Sequence, residues 1–226
     1  MTKQHVAICR LCALSLTVYL SLFTFVLQAA ASDKPDLLTQ QIRATAIKGQ
    51  TIDQVLSHLT YEYGISMGIE LGDQKSSPDR KIDLNLPETS VKDFLDAVIA
   101  KDPRYTWKLE GGVIHVWPLT ERDTLLATLL DTKISHFAVA ERSSRYAIQN
   151  DILNVPDIKS KLIVADVAPM IFLNFATMDK LEKGIGFEES DLTLRELLDK
   201  FTQKTKINRW VLSRWGENNE YITLRS

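Results

Sequence analysis

The sequence predicts an α+β protein made of two tandem small domains, each with two helices packed on short β-strands in a βαβ-βαβ-like order. Two observations carry this prediction. Residues 82–110 align without a gap with residues 185–213, and each aligned segment places a helix signal between strand signals. A further helix and strand precede the first segment. We therefore expect one domain at 45–118 and a second, diverged repeat at 134–226, joined by a linker helix at 119–133.

Each copy of the repeated segment contains one helix with the same start signal. A hydroxyl residue followed three residues later by an acid forms a capping box, in which each side chain bonds an otherwise unpaired amide of the first turn. The two pairs are Ser90 with Asp93, and Thr193 with Glu196. Apolar residues then recur at the i, i+3, i+4 and i+7 spacing of an amphipathic helix. The stripes are Val91, Phe94, Leu95 and Val98 in the first copy, and Leu194, Leu197, Leu198 and Phe201 in the second.

Strand patterns flank these helices. Residues 105–109 alternate between apolar and polar, Gly111-Gly112 supplies a tight turn, and residues 113–117 return as a second strand. The second copy repeats this pattern around a longer polar loop at 214–219. Upstream of that copy, the apolar run at 162–167 is also expected to be extended.

The N-terminus predicts export. Lys3 and Arg10 precede an apolar stretch at 11–27, and the alanines at 29–31 form an A-x-A-type cleavage site. Residues 1–31 are therefore predicted to be a signal peptide, and residues 32–44 an N-terminal segment of the mature chain. An uncleaved membrane anchor is the alternative, because the apolar stretch approaches the roughly 17 residues that a span needs.

The predicted mature chain is mildly acidic and has no cysteine. Cys9 and Cys12 both lie in the signal peptide. Two of the 27 basic residues also leave with it, so 25 basic residues face 29 acidic ones and the net charge is −4. Nucleic acid and anionic membranes are poor partners for such a surface. Because small exported domains commonly carry disulfides, their absence favours a Gram-negative-type bacterial envelope, with the protein periplasmic or secreted.

Candidate catalytic patterns do not fit their surroundings. Residues 64–68 match G-x-S-x-G, but a nucleophile elbow lies between a strand and a following helix, and here a helix comes first. His58, His115 and His136 lack metal-ligand spacing, and no cysteine is left to complete a zinc site. We therefore predict no catalytic residue, no cofactor and no metal ligand, and hence a protein that is not an enzyme.

The tryptophans are the remaining candidates for recognition. Trp107 and Trp210 are aligned in the repeat, and we expect both to pack in cores. Trp215 lies in the polar hairpin loop, where an exposed tryptophan can anchor an interface or fold back on its own sheet. Trp117 ends a predicted strand. Trp215 and Trp117 are therefore the candidate partner-binding residues.

Three stretches together suggest a family. They read TIDQVLSHLTYEYGI at 51–65, KIDLNLPETSVKDFLDAVI at 81–99 and YTWKLEGGVIHVWP at 105–118. This order of capped helix, strand, second capped helix and hairpin resembles the secretin and TonB N-terminus short domain over residues about 45–118, with a diverged second copy at about 134–224. The resemblance implies a periplasmic protein-interaction module. Nothing after residue 118 resembles the channel or receptor that follows such domains in the family.

The expected function is that of an exported non-catalytic interaction module of the bacterial cell envelope, which binds a partner protein through sheet edges or loops. Its partner is an envelope protein and not nucleic acid, and no integral membrane segment remains after signal cleavage. The alternative is a small-ligand or glycan-binding protein that uses a cleft between the two halves, with Trp117 or Trp215 as a stacking platform. A hydrolase is a third class, for which no residue constellation was found.

Overall fold

A computed structural model describes most of the chain beyond the predicted signal peptide. The described residues are 36–72, 80–120, 122–143, 145–170, 185–205 and 208–225. Residues 1–40 form one compact unit and residues 41–226 form another. The described part of the first unit contains a short 3-10 helix at Leu37–Thr39, and the predicted signal peptide lies outside the described residues. Within the described ranges, no helix has the length and apolarity needed to cross a membrane.

The described residues of the second unit form six α-helices and twelve strands, which confirms the predicted α+β class. The helices are α1 (Ile52–Tyr63), α2 (Val91–Lys101), α3 (Thr124–Leu130), α4 (Arg145–Leu153), α5 (Pro156–Val164) and α6 (Leu194–Thr205). The strands are β1 (Gln41–Ile42), β2 (Thr45–Gln50), β3 (Met67–Glu70), β4 (Ile82–Leu86), β5 (Thr89–Ser90), β6 (Tyr105–Glu110), β7 (Val113–Pro118), β8 (Lys133–Ser143), β9 (Ala168–Met170), β10 (Ile185–Thr193), β11 (Arg209–Trp215) and β12 (Tyr221–Arg225).

The two halves of this unit, residues 41–118 and 133–225, share three strand pairings in the same arrangement. In the first half β2 pairs antiparallel with β4, β6 pairs antiparallel with β7, and β7 pairs parallel with β3. In the second half β8 pairs antiparallel with β10, β11 pairs antiparallel with β12, and β12 pairs parallel with β9. The internal repeat therefore extends well beyond the segments that align in sequence.

Both halves contribute to one six-stranded sheet, in the order β6-β7-β3-β11-β12-β9. The parallel pair β3–β11 joins them, with Gly68 opposite Trp210. The sequence predicts domains at 45–118 and 134–226, and that boundary stays a prediction. Residues 41–226 form a single compact unit, in which β3 has a backbone partner on each side, β7 and β11, so one edge of each half is closed by the other.

A half-turn combined with a shift of three strand positions across the sheet relates the two halves. Strands β3, β7 and β11 run in one direction, whereas β6 and β12 run in the other. Equivalent strands β6 and β11 are thus reversed, as they are after rotation about an axis that lies in the sheet and crosses the strands. Trp107 lies opposite Val116 on β7, Val116 lies opposite Ile69 on β3, and Ile69 lies opposite Val211 on β11. Paired residues of neighbouring strands project from the same face of a sheet, and successive residues of one strand project from opposite faces. Trp107 and Trp210 therefore project from opposite faces. Helices α2 and α6, which contact these two tryptophans, therefore cover opposite faces of the sheet.

The second half has three helices where two were expected. Pro156 is the first residue of α5 and separates this helix from α4. Proline has no backbone N–H, but the N–H at a first helical position has no partner within the helix, so nothing is lost there. The run at 162–167, expected to be extended, belongs to α5 as far as Val164. Ile158 and Leu162 lie one turn apart and share the buried face of that helix, whereas Val164 is exposed.

The predicted helix starts are confirmed by their hydrogen bonds. Ser90 Oγ accepts from the backbone N–H of Asp93 at 3.1 Å, and the side chain of Glu196 accepts from the backbone N–H of Thr193 at 2.7 Å. All eight apolar residues of the two stripes are at most 1% exposed. They are Val91, Phe94, Leu95, Val98, Leu194, Leu197, Leu198 and Phe201. Local capping and helical spacing thus place both helices correctly.

The cap of α6 gives a pH-dependent contribution to stability. The backbone N–H of Thr193 holds the pKa of Glu196 below its usual range, because it bonds the ionised carboxylate. A carboxyl group whose pKa is lower in the folded chain than in the unfolded chain stabilises the fold at pH values above its unfolded-state pKa of about 4.3. This stabilisation is lost as the pH falls through the folded-state pKa. We expect Glu196→Ala to lower the free energy of unfolding by about 1 kcal/mol at pH 7. Urea titrations at pH 7 and pH 3 should show this difference shrinking at the lower pH.

The matched control is Glu88→Ala, since Glu88 is exposed and lies before α2 outside any capping position. Its effect should stay within about 0.5 kcal/mol at both pH values. A Glu196→Ala effect of the same size at pH 3 as at pH 7 would contradict the electrostatic account of the cap.

Candidate functional site

The aligned tryptophans make the same hydrogen bond in both halves. Trp107 donates its indole N–H to Asp96 Oδ1 at 3.0 Å, and Trp210 donates to Asp199 Oδ1 at 2.8 Å. Their surroundings differ, because Trp210 is fully buried and Trp107 is only half-buried. Strand β3 lies beside Trp210 on β11, whereas no described strand pairs with the outer side of β6. The expectation that both tryptophans pack in a core therefore holds fully for Trp210 alone.

Strand β6 presents backbone groups at the edge of the six-stranded sheet. Two residues with positive φ, Gly111 and Gly112, form the turn to β7, so Glu110 and Val113 face each other as the first pair of the ladder. In an antiparallel ladder alternate residues bond the partner strand. The carbonyl of Arg104 accepts from Leu119 N–H at 2.6 Å. The backbone groups of the even-numbered residues of β6 therefore bond β7. Trp107 and Leu109 therefore direct their N–H and C=O groups away from the sheet.

Amide hydrogen exchange should alternate along β6. The N–H groups of Trp107 and Leu109 face outward and should exchange rapidly, whereas those of Thr106 and Lys108 bond β7 and should be protected. Residue-resolved exchange measured by NMR on the purified chain checks this. Equal protection of all four amides would show that another segment covers the edge.

The junction between the halves contains a buried carboxylate that the sequence did not single out. Glu70 on β3 is 2% exposed. Its oxygens accept from Arg122 Nε and Nη2 at 2.9 and 2.8 Å, and Arg195 Nη1 on α6 lies 3.0 Å from Oε1. The bond to Glu70 raises the pKa of Arg122. The sequence does contain one indication of this ion-pair site, namely an acidic residue inside the apolar stretch ISMGIEL at 65–71. A carboxylate buried in such a strand needs cationic partners.

Close packing at the same junction explains a glycine. A Cβ added to Gly68 would lie 2.3 Å from Trp210 Cζ2. The match of residues 64–68 to G-x-S-x-G thus reflects the approach of β11, with Gly64 ending α1 in a left-handed conformation (φ 67°). Ser66 lies between helix α1 and strand β3, as the sequence indicated.

The three histidines of the predicted mature chain lie apart and have separate contacts. His58 Nδ1 is 3.1 Å from Glu62 Oε1 within α1, and His136 Nδ1 is 3.2 Å from Ser190 Oγ. His115 is 3% exposed, and its Nε2 lies 3.2 Å from an Asp199 oxygen on α6. In the part of the chain that the structure describes, no three His, Cys, Asp or Glu side chains group closely enough to hold a metal ion.

The two candidate partner-binding tryptophans lie on different strands. Trp117 is half-buried on β7, opposite Thr106. Trp215 is the last residue of β11, not part of the loop, and is 40% exposed, with its ring 5.9 Å from that of Tyr221. The β3–β11 ladder and the ion pairs of Glu70 join the two halves. Ligand binding in a cleft between the halves, with Trp117 or Trp215 as a stacking platform, stays a prediction.

A shallow groove of about 750 Å³ lies within the first half, between β2, β4 and α2. Its lining includes the apolar residues Leu86 and Ala97 together with the charged residues Lys48, Asp83 and Lys101. The aligned positions of the second half hold Glu189 and Lys200, which form an ion pair that lowers the pKa of Glu189. The two aligned positions thus differ between the halves: Leu86 and Ala97 are apolar, whereas Glu189 and Lys200 form an ion pair.

Comparison with protein-family models and with curated proteins found no match to the chain.

Proposed function

We propose that this chain is an exported, non-catalytic interaction module of a bacterial cell envelope that binds a partner protein by strand addition at β6. One observation carries the proposal. The outer edge of β11 accepts β3, whereas the same edge of its equivalent β6 has no strand beside it among the described residues. The fold therefore contains, in its own second half, an example of the interaction proposed for the first.

Physical chemistry favours a partner at this edge. Outward N–H and C=O groups of an edge strand are ready to pair with another extended chain. A strand placed there would also cover Trp107, and tryptophan is enriched among residues that dominate binding energy. Lys108 and Glu110, both exposed charged residues of β6, disfavour indiscriminate pairing of this edge.

The envelope location rests on sequence. The predicted signal peptide at 1–31 and the resemblance of residues about 45–118 to the secretin and TonB N-terminus short domain both support export to the periplasm. An intact-mass measurement of the protein from its native host should find an N-terminus near Ser32. Retention of residues 1–31 would favour the membrane-anchor alternative.

Site-specific photo-crosslinking tests the binding edge. A benzophenone amino acid at position 110, next to the open edge, should form a covalent adduct with a partner protein in native envelopes. The same amino acid at Lys159, exposed on α5, is the matched control. Leu109→Pro should abolish the adduct, because proline removes an outward N–H without removing a bond to β7. Adducts of equal yield at both positions, or adducts insensitive to Leu109→Pro in a folded variant, would exclude β6 as the binding edge.

The groove on the first half supports the second candidate function, binding of a small apolar ligand. Ala97→Lys together with Leu86→Glu would introduce the ion pair that occupies the aligned position of the second half. If the groove binds a ligand, this double variant should remove the thermal stabilisation seen with that ligand in a screen. Unchanged stabilisation would assign the ligand to another site.

A further inference from the structure

We infer that the segment bound at β6 is an extended strand of another protein that runs parallel to β6, with a glycine opposite Trp107 and an acidic residue opposite Leu109. This inference rests on the proposed function and specifies the chemistry of the partner. It is derived from the β3–β11 pair, which occupies the equivalent edge in the second half.

The direction and the hydrogen bonds follow from that pair. Strand β3 runs parallel to β11, with Met67 N–H donating to Asn208 C=O at 2.8 Å and Leu71 N–H donating to Leu212 C=O at 3.1 Å. In parallel pairs alternate residues bond a given neighbour, so the bonding residues of β11 are Trp210 and Leu212. The aligned residues of β6 are Trp107 and Leu109, the two whose backbone groups face outward. The same hydrogen-bond pattern is therefore available to an incoming strand.

The tryptophan selects glycine in the partner. The Trp210 ring, held by Asp199, extends over Gly68 so closely that a Cβ there would lie 2.3 Å from the ring. Trp107 makes the same bond to Asp96, eleven residues earlier on α2. Because this shared bond fixes the ring in the same orientation relative to its helix, Trp107 should extend over the residue opposite it. Any side chain at that position would meet the indole.

The preference for an acid follows from charge. Glu70 lies opposite Leu212 and receives Arg195 from α6. The residues aligned with Leu212 and Arg195 are Leu109 and Lys92. The Lys92 ammonium is exposed and lies 2.6 Å from Asp96 Oδ2, which raises the pKa of Lys92. A carboxylate opposite Leu109 would thus face a lysine that is charged at neutral pH.

A second copy of the chain is a poor donor of this strand. The counterpart of β3 in the second half is β9, at the other edge of the sheet. Ala168 N–H donates to Glu220 C=O at 2.8 Å, which directs residue 168 toward β12 and Pro169 toward the open side. Proline has no N–H to donate, so the outward-facing residue in the described part of β9 offers an adjacent strand no hydrogen-bond donor. A strand of another protein is therefore the better donor for β6.

The chain's own β3 sequence supplies the probe. A blocked nonapeptide with the sequence GISMGIELG, residues 64–72, is titrated into the ¹⁵N-labelled full mature chain. We expect saturable amide shifts centred on β6, with slowed hydrogen exchange at Trp107 and Leu109 and no change at Lys108. Replacing the peptide's Gly68 by valine should weaken binding at least tenfold. No saturable shift on β6, or equal binding of the valine peptide, would overturn the inference.

Modified peptides separate strand addition from other contacts without altering the protein. N-methylation at Ile69, whose N–H faces β6 in the docked strand, should weaken binding at least tenfold, whereas N-methylation at Glu70, whose N–H faces away, should change it less than twofold. Replacing the peptide's Glu70 by lysine should weaken binding about twofold to fivefold, and Lys92→Glu in the protein should restore it. Equal effects of the two N-methyl groups would exclude the predicted hydrogen-bond register.

The remaining outcomes distinguish this inference from the proposed function. If the peptide does not bind while the position-110 adduct with an envelope protein persists, β6 is a binding edge for a strand of different chemistry, and the inference fails alone. If Trp107 and Leu109 amides are already protected in the free chain, a segment of the chain itself covers the edge and both proposals fail. Sedimentation that shows a dimer dispersed by Leu109→Pro would identify a second copy as the occupant and overturn the inference.

Discussion

Leu95→Ala and Leu198→Ala should each lower the free energy of unfolding by about 2–5 kcal/mol, in one shared cooperative transition. Both leucines are fully buried on aligned helices, α2 and α6. Because the β3–β11 ladder joins the halves into one compact unit, loss of either helix's packing should destabilise the whole of residues 41–226. Urea titrations followed by tryptophan fluorescence and by far-UV circular dichroism measure this.

The control for both leucine variants is Lys159→Ala, on the exposed face of α5, which should change stability by less than about 0.5 kcal/mol. Two separate transitions, each shifted by only one of the leucine variants, would support the original expectation of independent domains. Coincident curves from both spectroscopic probes would support the single unit.

Glu70→Ala should destabilise the protein by about 3–5 kcal/mol, because it leaves Arg122 and Arg195 without their shared carboxylate at a buried position. The effect should exceed that of Arg122→Ala, since Arg122 is 35% exposed and Glu70 is 2% exposed. Thermal and urea denaturation measure the difference. Glu110→Ala is the matched control, because its ion pair with Lys108 lies in solvent and such pairs contribute at most about 1 kcal/mol.

An effect of Glu70→Ala no larger than that of Glu110→Ala would mean that the two arginines find solvent or other acids when Glu70 is removed. Glu70→Gln tests the role of charge separately from that of shape. Because the amide keeps an acceptor oxygen but loses the negative charge, we expect a loss between the values for wild type and Glu70→Ala.

Features set by neighbouring residues were predictable from the sequence. The capping boxes at Ser90 and Thr193, the two apolar stripes and the Gly111-Gly112 turn all depend on contacts within a few residues, and the structure has them where the sequence placed them. The helical conformation of residues 162–164 was missed, because a short apolar run fits a buried strand or a helix equally well.

Features set by pairing between the halves were not predictable. The sequence around β3 reads as a buried strand whichever neighbour it has, so nothing local distinguishes pairing with β7 alone from pairing with β11 as well. Arg122 and Arg195 are distant in sequence from Glu70, and their spacing carries no signal. The same holds for Trp107 and Trp210, which look equivalent in the alignment and differ in the structure because only one has a strand beside it.

The parallel and antiparallel run of β6, β7, β3 and β11 also determines how the molecule resists force. A pull on β6 along its length acts in shear, so the hydrogen bonds of each successive ladder stretch together and must break together. Six residue pairs join β6 to β7, whereas three join β9 to β12, so the same lengthwise pull should break the β9 ladder at a lower force. A partner strand attached along β6 would therefore be held at the mechanically stronger edge, and single-molecule pulling along the strands at the two edges should give different rupture forces.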